Sequence, residues 1–222
     1  MIKFKIVSFL LDFACFVWYD TIRVMINRLF DSIGENMTKS RKYPIEPLTT
    51  NEVQSLLNAC PITFYGLRNR ALIIVLWRGG LRIAEALSLN TRDIDNGTIR
   101  IHHGKGDKPR IVAIDDLYRP HVQTWIERRG AITGPLFCTR KGKPLSTAYV
   151  RSLFKRIGKQ AGISKRVHPH CLRHTFAFDL ANERKDIRVI QQALGHSSLS
   201  ETDRYVNHLN PVAVIDALSH RA

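Results

Sequence analysis

Cysteine is scarce in this chain of 222 residues, and its four cysteines lie far apart, at Cys15, Cys60, Cys138 and Cys171. None belongs to a C-x-x-C pair, so the sequence predicts neither a zinc site nor a disulfide framework, and we interpret all four as reduced thiols. Long apolar runs are missing as well. The densest one, residues 9–19, is interrupted by Asp12 and followed by Asp20. It is therefore too short and too charged for a membrane span, and it lacks a signal-peptide cleavage site.

Acidic residues are also in short supply, because 19 Asp and Glu stand against 34 Lys and Arg, for a formal net charge of +15. In residues 1–36 four acidic and four basic residues cancel, so the whole excess lies in residues 37–222. Hydrophobic residues make up 44% of the chain, as in globular proteins with a buried core. A strongly basic globular domain is typical of a protein that binds a polyanion, with nucleic acid the first candidate. A basic protein without such a partner is the alternative.

The first 36 residues differ from the rest in their density of apolar side chains. Three interpretations stay open: an amphipathic helix that docks on the domain or on a partner, the remnant of a lost N-terminal domain, or upstream sequence translated from a mistaken start. Met37 opens a polar, basic stretch, MTKSRKYP, which favours the last two. We interpret residues 37–45 as a linker and residues 46–222 as one domain, and we assign no chemistry to residues 1–36.

The hydrophobic pattern of this domain predicts mostly helices. Thr49 and Glu52 form a capping box at a helix start, and the glycine pair at 79–80 ends a strongly apolar helix. Alternation of apolar and polar residues over 98–102 and 110–114 instead predicts two half-buried strands, joined by a glycine-rich turn. We therefore predict a mainly α fold with a small antiparallel β-sheet, of the α+β class.

Two basic residues stand at breaks between these elements. Arg82 follows the glycine pair at the start of a short helix, where a charge is costly unless it has a partner. Glu85, three residues later, is the simplest partner. A second interpretation of this stretch is a loose helix-turn-helix pattern. Lys105 lies between two glycines at the tip of the predicted turn. A lysine in a turn is usually just solvated, but a mobile tip also suits an ammonium that must reach a ligand.

A basic stripe runs along the predicted helix that begins after Ser146. Its apolar residues recur at helical spacing, and the opposite face carries Arg151, Lys155, Arg156 and Lys159. A basic turn, with Arg140 and Lys141, precedes the helix. Both features suit contacts with phosphates. A solvated helix face is the alternative interpretation.

The richest stretch is HPHCLRHTFAFDLANERKDIRVIQQALGHSSLSETDRY, residues 168–205. His170 and Arg173 share one face of a helix that starts near Pro169. A second helix ends at Gly195 and His196, and a third, beginning near residue 200, carries Tyr205. Cationic and imidazole groups beside a phenol predict a phosphate site with an oxygen nucleophile.

Zinc is the competing interpretation of this stretch, because His170, Cys171 and His174 have ligand-like spacing. No further ligand has a fitting local spacing, and Arg173 would repel the metal, so we predict no metal site.

Four motifs in order, GLRIAEALSL, HGKGDKPR, HPHCLRHTFA and LGHSSLSETDRY, resemble those of the tyrosine recombinases, or phage-type integrases. The resemblance covers residues 46–218. It implies a mostly helical catalytic domain with one small antiparallel sheet. It also implies which residues act on the scissile phosphate: Tyr205 as the nucleophile, surrounded by Arg82, Lys105, His170, Arg173 and His196.

The chemistry of these side chains fits the implied roles. Arginine forks match the non-bridging oxygens of a phosphate, and His196 adds a donor. A free tyrosine has a pKa of about 10, so the cations must favour phenolate, with His170 accepting or positioning the proton. Lys105 is the expected donor to the leaving 5′ oxygen. The covalent 3′-phosphotyrosyl link conserves the bond energy, so neither a metal nor a cofactor is needed.

The resemblance also implies partners: double-stranded DNA, and further copies of the chain in a tetrameric synapse. At most 45 residues precede the match, too few for the family's N-terminal DNA-binding domain, so we expect that another protein supplies it. The tail after Asn210 is expected to dock on a neighbouring protomer. We expect a cytoplasmic, nucleoid-associated protein with no membrane partner. Two alternatives are a type IB topoisomerase that relaxes DNA, and a truncated DNA-binding accessory protein that does not cut.

Overall fold

The computed structural model describes residues 47–102, 109–183, 185–196, 198 and 202, all within the compact unit Ile45–Ala222. The described helices are α1 (Thr50–Asn58), α2 (Phe64–Arg78), α3 (Ile83–Ser88), α4 (Arg119–Arg129), α5 (Thr147–Gln160), α6 (Pro169–Asn182) and α7 (Ile187–Leu194). The strands are β1 (Ile94–Asp95), β2 (Thr98–Ile101) and β3 (Arg110–Ala113), and a short 3-10 turn spans Thr91–Asp93. The predicted fold, mainly α with a small antiparallel sheet, is confirmed.

Helix α2 is the centre of the core. Its residues from Ala71 to Trp77 are fully buried, and the helix packs against both α4 and α6. Thr63 caps the start of this helix, with Thr63 Oγ1 accepting from the Gly66 amide at 3.2 Å. Gly79 ends it, as predicted. The segment that carries Arg82 therefore starts from a rigid, buried support.

The sheet has the order β1-β2-β3, with both pairs antiparallel. Residues Ile99 and Ile101 of β2 and Val112 of β3 are buried, while Arg100 and Ile111 face outward. The two-residue strand β1 was not predicted, although the Asn-Gly turn before β2 is a strong hairpin signal. Ile101 pairs with Arg110 at the end of the β2–β3 ladder, and Lys105 lies outside the described residues.

Two helix ends position the candidate active-site residues of the stretch 168–205. His168 caps α6, since its Nδ1 accepts from the Cys171 amide at 3.2 Å, and Pro169 occupies the first turn. Gly195 ends α7 in the left-handed conformation, with φ of 60°, which glycine adopts at little cost. His196 thus leaves the helix in a fixed direction. Apart from Thr202, the predicted third helix lies outside the described residues, and so does the tail.

Candidate functional site

Arg173 fastens two other parts of the site to α6. Its side chain is buried, with 2% of the residue exposed. Nη1 donates a hydrogen bond to the Gly80 carbonyl oxygen at 2.5 Å, and Nη2 donates to the Leu194 carbonyl oxygen at 2.5 Å. Gly80 lies two residues before Arg82, and Leu194 two residues before His196. One guanidinium therefore holds the segment of Arg82 and the segment of His196 against α6, the helix that carries Arg173 itself.

Gly80 can reach Arg173 only because it has no side chain. Its φ is +62°, and a Cβ built there would stand 2.3 Å from Cδ1 of Phe176 on α6. A contact that short cannot occur without a shift of the ring or the backbone. The glycine pair therefore does more than end a helix, because it allows close packing against α6.

Arg82 is the N-cap residue of α3 and is bound to Glu85. Its backbone amide donates to Glu85 Oε2 at 2.8 Å, and its Nη1 donates to Oε1 at 3.0 Å. The local ion pair considered from the sequence is thus present. The Arg82 side chain nevertheless keeps 26% of its surface exposed, so the pairing leaves part of the side chain accessible to a ligand.

Glu85 has a second partner that the sequence pattern did not predict. Arg110, the first residue of β3, forms a two-pronged ion pair, with Nη1 to Oε1 at 2.9 Å and Nη2 to Oε2 at 2.7 Å. Burial by itself raises the pKa of Glu85. The hydrogen bonds and charge of Arg110, together with the hydrogen bonds of Arg82, outweigh burial and lower that pKa to about 2. The carboxylate is therefore ionised at neutral pH.

Arg110 also contacts the turn that leads to His196. Its Nε donates to the Ala193 carbonyl oxygen at 3.1 Å. A Cβ built at Gly195 would lie 2.9 Å from Arg110 Nη1, so the guanidinium packs directly against this glycine. The side chain is 7% exposed. Arg110 consequently links β3, α3 and the end of α7.

The two site histidines have different surroundings. His196 Nδ1 shares a hydrogen bond of 3.0 Å with the hydroxyl of Thr202, which is fully buried. The Gln191 side-chain amide donates to the His196 carbonyl at 3.4 Å. His170 is exposed in the first turn of α6, and its ring centroid lies 4.2 Å from that of His174. The imidazole of His196 is thus fixed by a side chain, whereas that of His170 faces the surface.

The structure describes four of the six predicted active-site residues: Arg82, His170, Arg173 and His196. Arg173 joins the segments of Arg82 and His196 through its two carbonyl bonds, and His170 stands one helical turn before Arg173. Lys105 and Tyr205 lie outside the described residues. Their roles, like the roles of the other four, remain predictions.

The predicted DNA-binding residues are all exposed. Arg151, Lys155, Arg156 and Lys159 lie on the outer face of α5, while Val150, Leu153, Phe154 and Ile157 on its other face are buried. Arg140 and Lys141 are exposed in the turn before the helix, and the Arg140 guanidinium carbon is 5.2 Å from the ring centroid of Phe64. These positions are compatible with phosphate contacts, and the contacts remain predictions.

A signal for Arg110 was present in the sequence. Strand residues two apart share a face, so Arg110 belongs to the face of Val112, which is buried. A charge on an inward face needs a buried counter-charge. Thr202 carried no comparable signal in the sequence.

Among the residues that the structure describes, no group of three or more His, Cys, Asp or Glu side chains has the proximity to hold a metal ion. No described helix combines the length and the apolarity that a membrane crossing requires.

The chain resembles known proteins over most of its length. The phage integrase family model matches residues 46–211. A tyrosine recombinase XerC of Syntrophus aciditrophicus is 35% identical over 201 residues, 83% of this chain and 64% of the relative. A tyrosine recombinase XerA of Thermococcus kodakarensis is 39% identical over 171 residues, 73% of this chain and 59% of the relative. The chain thus spans about three fifths of the length of these curated relatives.

Solved structures show the same fold. A crystal structure of XerA recombinase matches with a TM-score of 0.70 and 30% identity, covering 84% of this chain and 66% of that one. A structure of the XerH site-specific recombinase, bound to palindromic difH substrate in a post-cleavage complex, matches with a TM-score of 0.66 and 31% identity. It covers 82% of this chain and 55% of that one.

Proposed function

This chain belongs to the phage integrase family, and on that premise we propose that it is a site-specific DNA recombinase. It cuts and rejoins DNA through a covalent 3′-phosphotyrosyl intermediate. The observation that carries the proposal is the pair of hydrogen bonds from Arg173 to Gly80 and Leu194. These bonds hold the segments of Arg82, Arg173 and His196 together. A site that binds one phosphate with all three side chains requires such an arrangement.

Each of these groups has a task in the proposed reaction. Arg82, partly exposed, binds a non-bridging oxygen of the scissile phosphate, as a guanidinium fork does. Arg173 stays protonated while it bonds to the two carbonyls, and it adds positive charge beneath the same phosphate. His196, fixed by Thr202, donates to a second oxygen. Together they stabilise the charge that builds up in the transition state.

The remaining steps are assigned by chemistry. The phenol oxygen of Tyr205 attacks phosphorus, its proton passes to His170, and the phosphorus bond to the 5′ oxygen breaks. Lys105 gives a proton to that oxygen, which leaves as a hydroxyl. The reverse attack, by a 5′ hydroxyl from another strand, releases Tyr205 and completes the exchange. No external energy source is required, because each step replaces one phosphodiester bond by another.

Double-stranded DNA is the proposed partner, held along the exposed basic face of α5 and the turn with Arg140 and Lys141. The related XerH structure contains its DNA substrate. By resemblance, the chain works as a tetramer on two DNA sites. On this proposal the protein acts in the cytoplasm, on the nucleoid.

The test selects the target sequence and detects cleavage in one experiment. A pool of DNA duplexes, with a randomised central segment and a nick that lets the cleaved end diffuse away, is incubated with the full chain in EDTA. Wild-type protein should form a covalent protein–DNA adduct that survives denaturation, and sequencing the adducts identifies the site. Tyr205→Phe should form none. DNA retardation on a native gel without any adduct would overturn the proposal in favour of a binder that does not cut.

A further inference from the structure

We propose that Arg110 is a positioning residue of the active site, which acts on the phosphate through Glu85 and Arg82. This inference rests on the proposed function. Arg110 is the last residue of the HGKGDKPR motif, but it is not one of the six residues assigned to the scissile phosphate. Its contacts nevertheless connect three elements of the site: the start of β3, the N-terminus of α3 and the last turn of α7.

Arg110 changes the net charge of the group that contains Arg82. Arg82 is paired with the carboxylate of Glu85, and an isolated pair of this kind is close to neutral as seen by a nearby phosphate. Arg110 binds both oxygens of the same carboxylate, at 2.9 and 2.7 Å. The trio therefore carries a net charge of about +1, because both arginines stay protonated. Arg110 thus offsets the Glu85 charge and leaves the charge of Arg82 for the ligand.

Arg110 also controls the orientation of the Arg82 side chain. Glu85 accepts from the backbone amide of Arg82 as well as from its Nη1. It therefore fixes the direction in which the Arg82 side chain leaves α3. Arg110 holds the carboxylate in turn with two parallel bonds, the geometry that gives most directional control. A lysine would keep the charge but lose the fork and the Nε bond to Ala193.

Arg110 and Glu85 are less accessible than Arg82. The Arg110 side chain is 7% exposed and that of Glu85 is 5% exposed, whereas that of Arg82 is 26% exposed. A phosphate at the surface can therefore reach Arg82 but not the pair beneath it. Arg110 is a positioning residue for this reason, and not a residue that touches substrate.

The variants Arg110→Gln and Arg110→Lys test the proposal, with Arg100→Gln as the matched control. Arg100 lies on the neighbouring strand, is exposed, and carries the same charge. The DNA is the duplex recovered from the randomised pool with wild-type protein. The measurements are the single-turnover rate of adduct formation at saturating DNA, the DNA dissociation constant, and folding by near-ultraviolet circular dichroism.

Arg110→Gln should lower the single-turnover rate about 10- to 100-fold while DNA affinity changes less than about threefold. Arg110→Lys should fall between this variant and wild type, and Arg100→Gln should match wild type. If Arg110→Gln folds and its rate is unchanged, the proposal is overturned. If Arg110→Gln does not fold, a wild-type rate in Arg110→Lys overturns it instead. A wild-type protein that forms no adduct would instead reject the proposed function, so the two failures are distinct.

A double variant separates positioning from a merely structural role. In Glu85→Gln there is no carboxylate charge to offset, so adding Arg110→Gln should change the rate less than about threefold. If Arg110→Gln costs as much in that background as in wild type, Arg110 does not act through Glu85 and the proposal is wrong. A drop in thermal stability without a change in rate would also count against it.

Discussion

Arg173 Nη2 donates a hydrogen bond to the backbone carbonyl oxygen of Leu194 at 2.5 Å. The bond crosses from α6 to the last turn of α7, where a carbonyl has no partner within its own helix. A buried guanidinium that satisfies a helix end is a structural element of the site as well as a source of positive charge. Substitutions of Arg173 should therefore change stability and activity together.

Arg173→Lys should lower the free energy of unfolding by roughly 1–3 kcal/mol, because one ammonium cannot replace the fork that reaches both Gly80 and Leu194. Adduct formation should fall by at least about 100-fold. Urea denaturation and the denaturing-gel assay measure the two effects. Arg166→Lys, an exposed change of the same kind, is the control. Wild-type stability in Arg173→Lys would show that the two carbonyl bonds carry no net energy.

Gly80→Ala should be more destabilising than Gly162→Ala. Both glycines have a left-handed φ, +62° and +70°, but a Cβ at Gly80 would collide with Phe176 while one at Gly162 meets no atom within 4 Å. The second variant therefore measures backbone strain alone, roughly 1 kcal/mol. The difference between them isolates the clash, expected at about 1–3 kcal/mol. Urea denaturation gives both values, and equal losses would exclude a role for the contact with Phe176.

The pH dependence of stability should show the contribution of Glu85. Its folded pKa is about 2, below its ordinary value of 4.5, so its stabilisation is fully present above about pH 5 and is lost as the pH falls towards 2. The lost contribution is on the order of 3 kcal/mol. Glu85→Gln should consequently flatten the fall in unfolding free energy between pH 5 and 2.

Asp116→Asn is the control for that titration. Asp116 pairs with Arg119 at 2.9 Å, but its side chain is 88% exposed, and such surface pairs contribute little to stability. The control should follow the wild-type curve. If Glu85→Gln also follows it, the Arg110 ion pair does not stabilise the folded state.

Thr202→Val should slow adduct formation several-fold without weakening DNA binding. Valine has nearly the shape of threonine but cannot bond to His196 Nδ1, so the ring loses the contact that fixes it. Thr202→Ser keeps the hydroxyl and should retain most of the rate. Single-turnover assays on the selected duplex compare the two. Equal rates in both variants would mean that Thr202 does not orient His196.

The basic face of α5 should contribute to affinity through phosphates. Lys155→Gln should weaken DNA binding at any sequence and lower the slope of log affinity against log salt by about 1. Lys185→Gln removes an exposed lysine beside Glu183, in the loop between α6 and α7, and should leave the slope unchanged. Fluorescence anisotropy at several salt concentrations measures both. An unchanged slope in Lys155→Gln would indicate a solvated face.

Local sequence rules predicted the helices well, because their causes are local. The Thr49–Glu52 capping box forms with both hydrogen bonds, and Ser146 caps α5 through the Tyr149 amide at 3.1 Å. The buried residues of α5 recur at the helical spacing that the sequence predicted. The two-residue strand β1 was missed, because so short a strand has too few residues for an alternating pattern.

The sequence by itself determined the fold class, the family, and the identity of the candidate residues, since caps, periodicity and ordered motifs act over short distances along the chain. It predicted the pairing of Arg82 with Glu85 for the same reason. Only the tertiary structure decided that Arg110 shares that carboxylate across 25 residues, and that Arg173 bonds to Gly80 across 93. Such contacts depend on how buried helices pack, because a guanidinium enters the core only where distant chain segments place carbonyls or carboxylates around it.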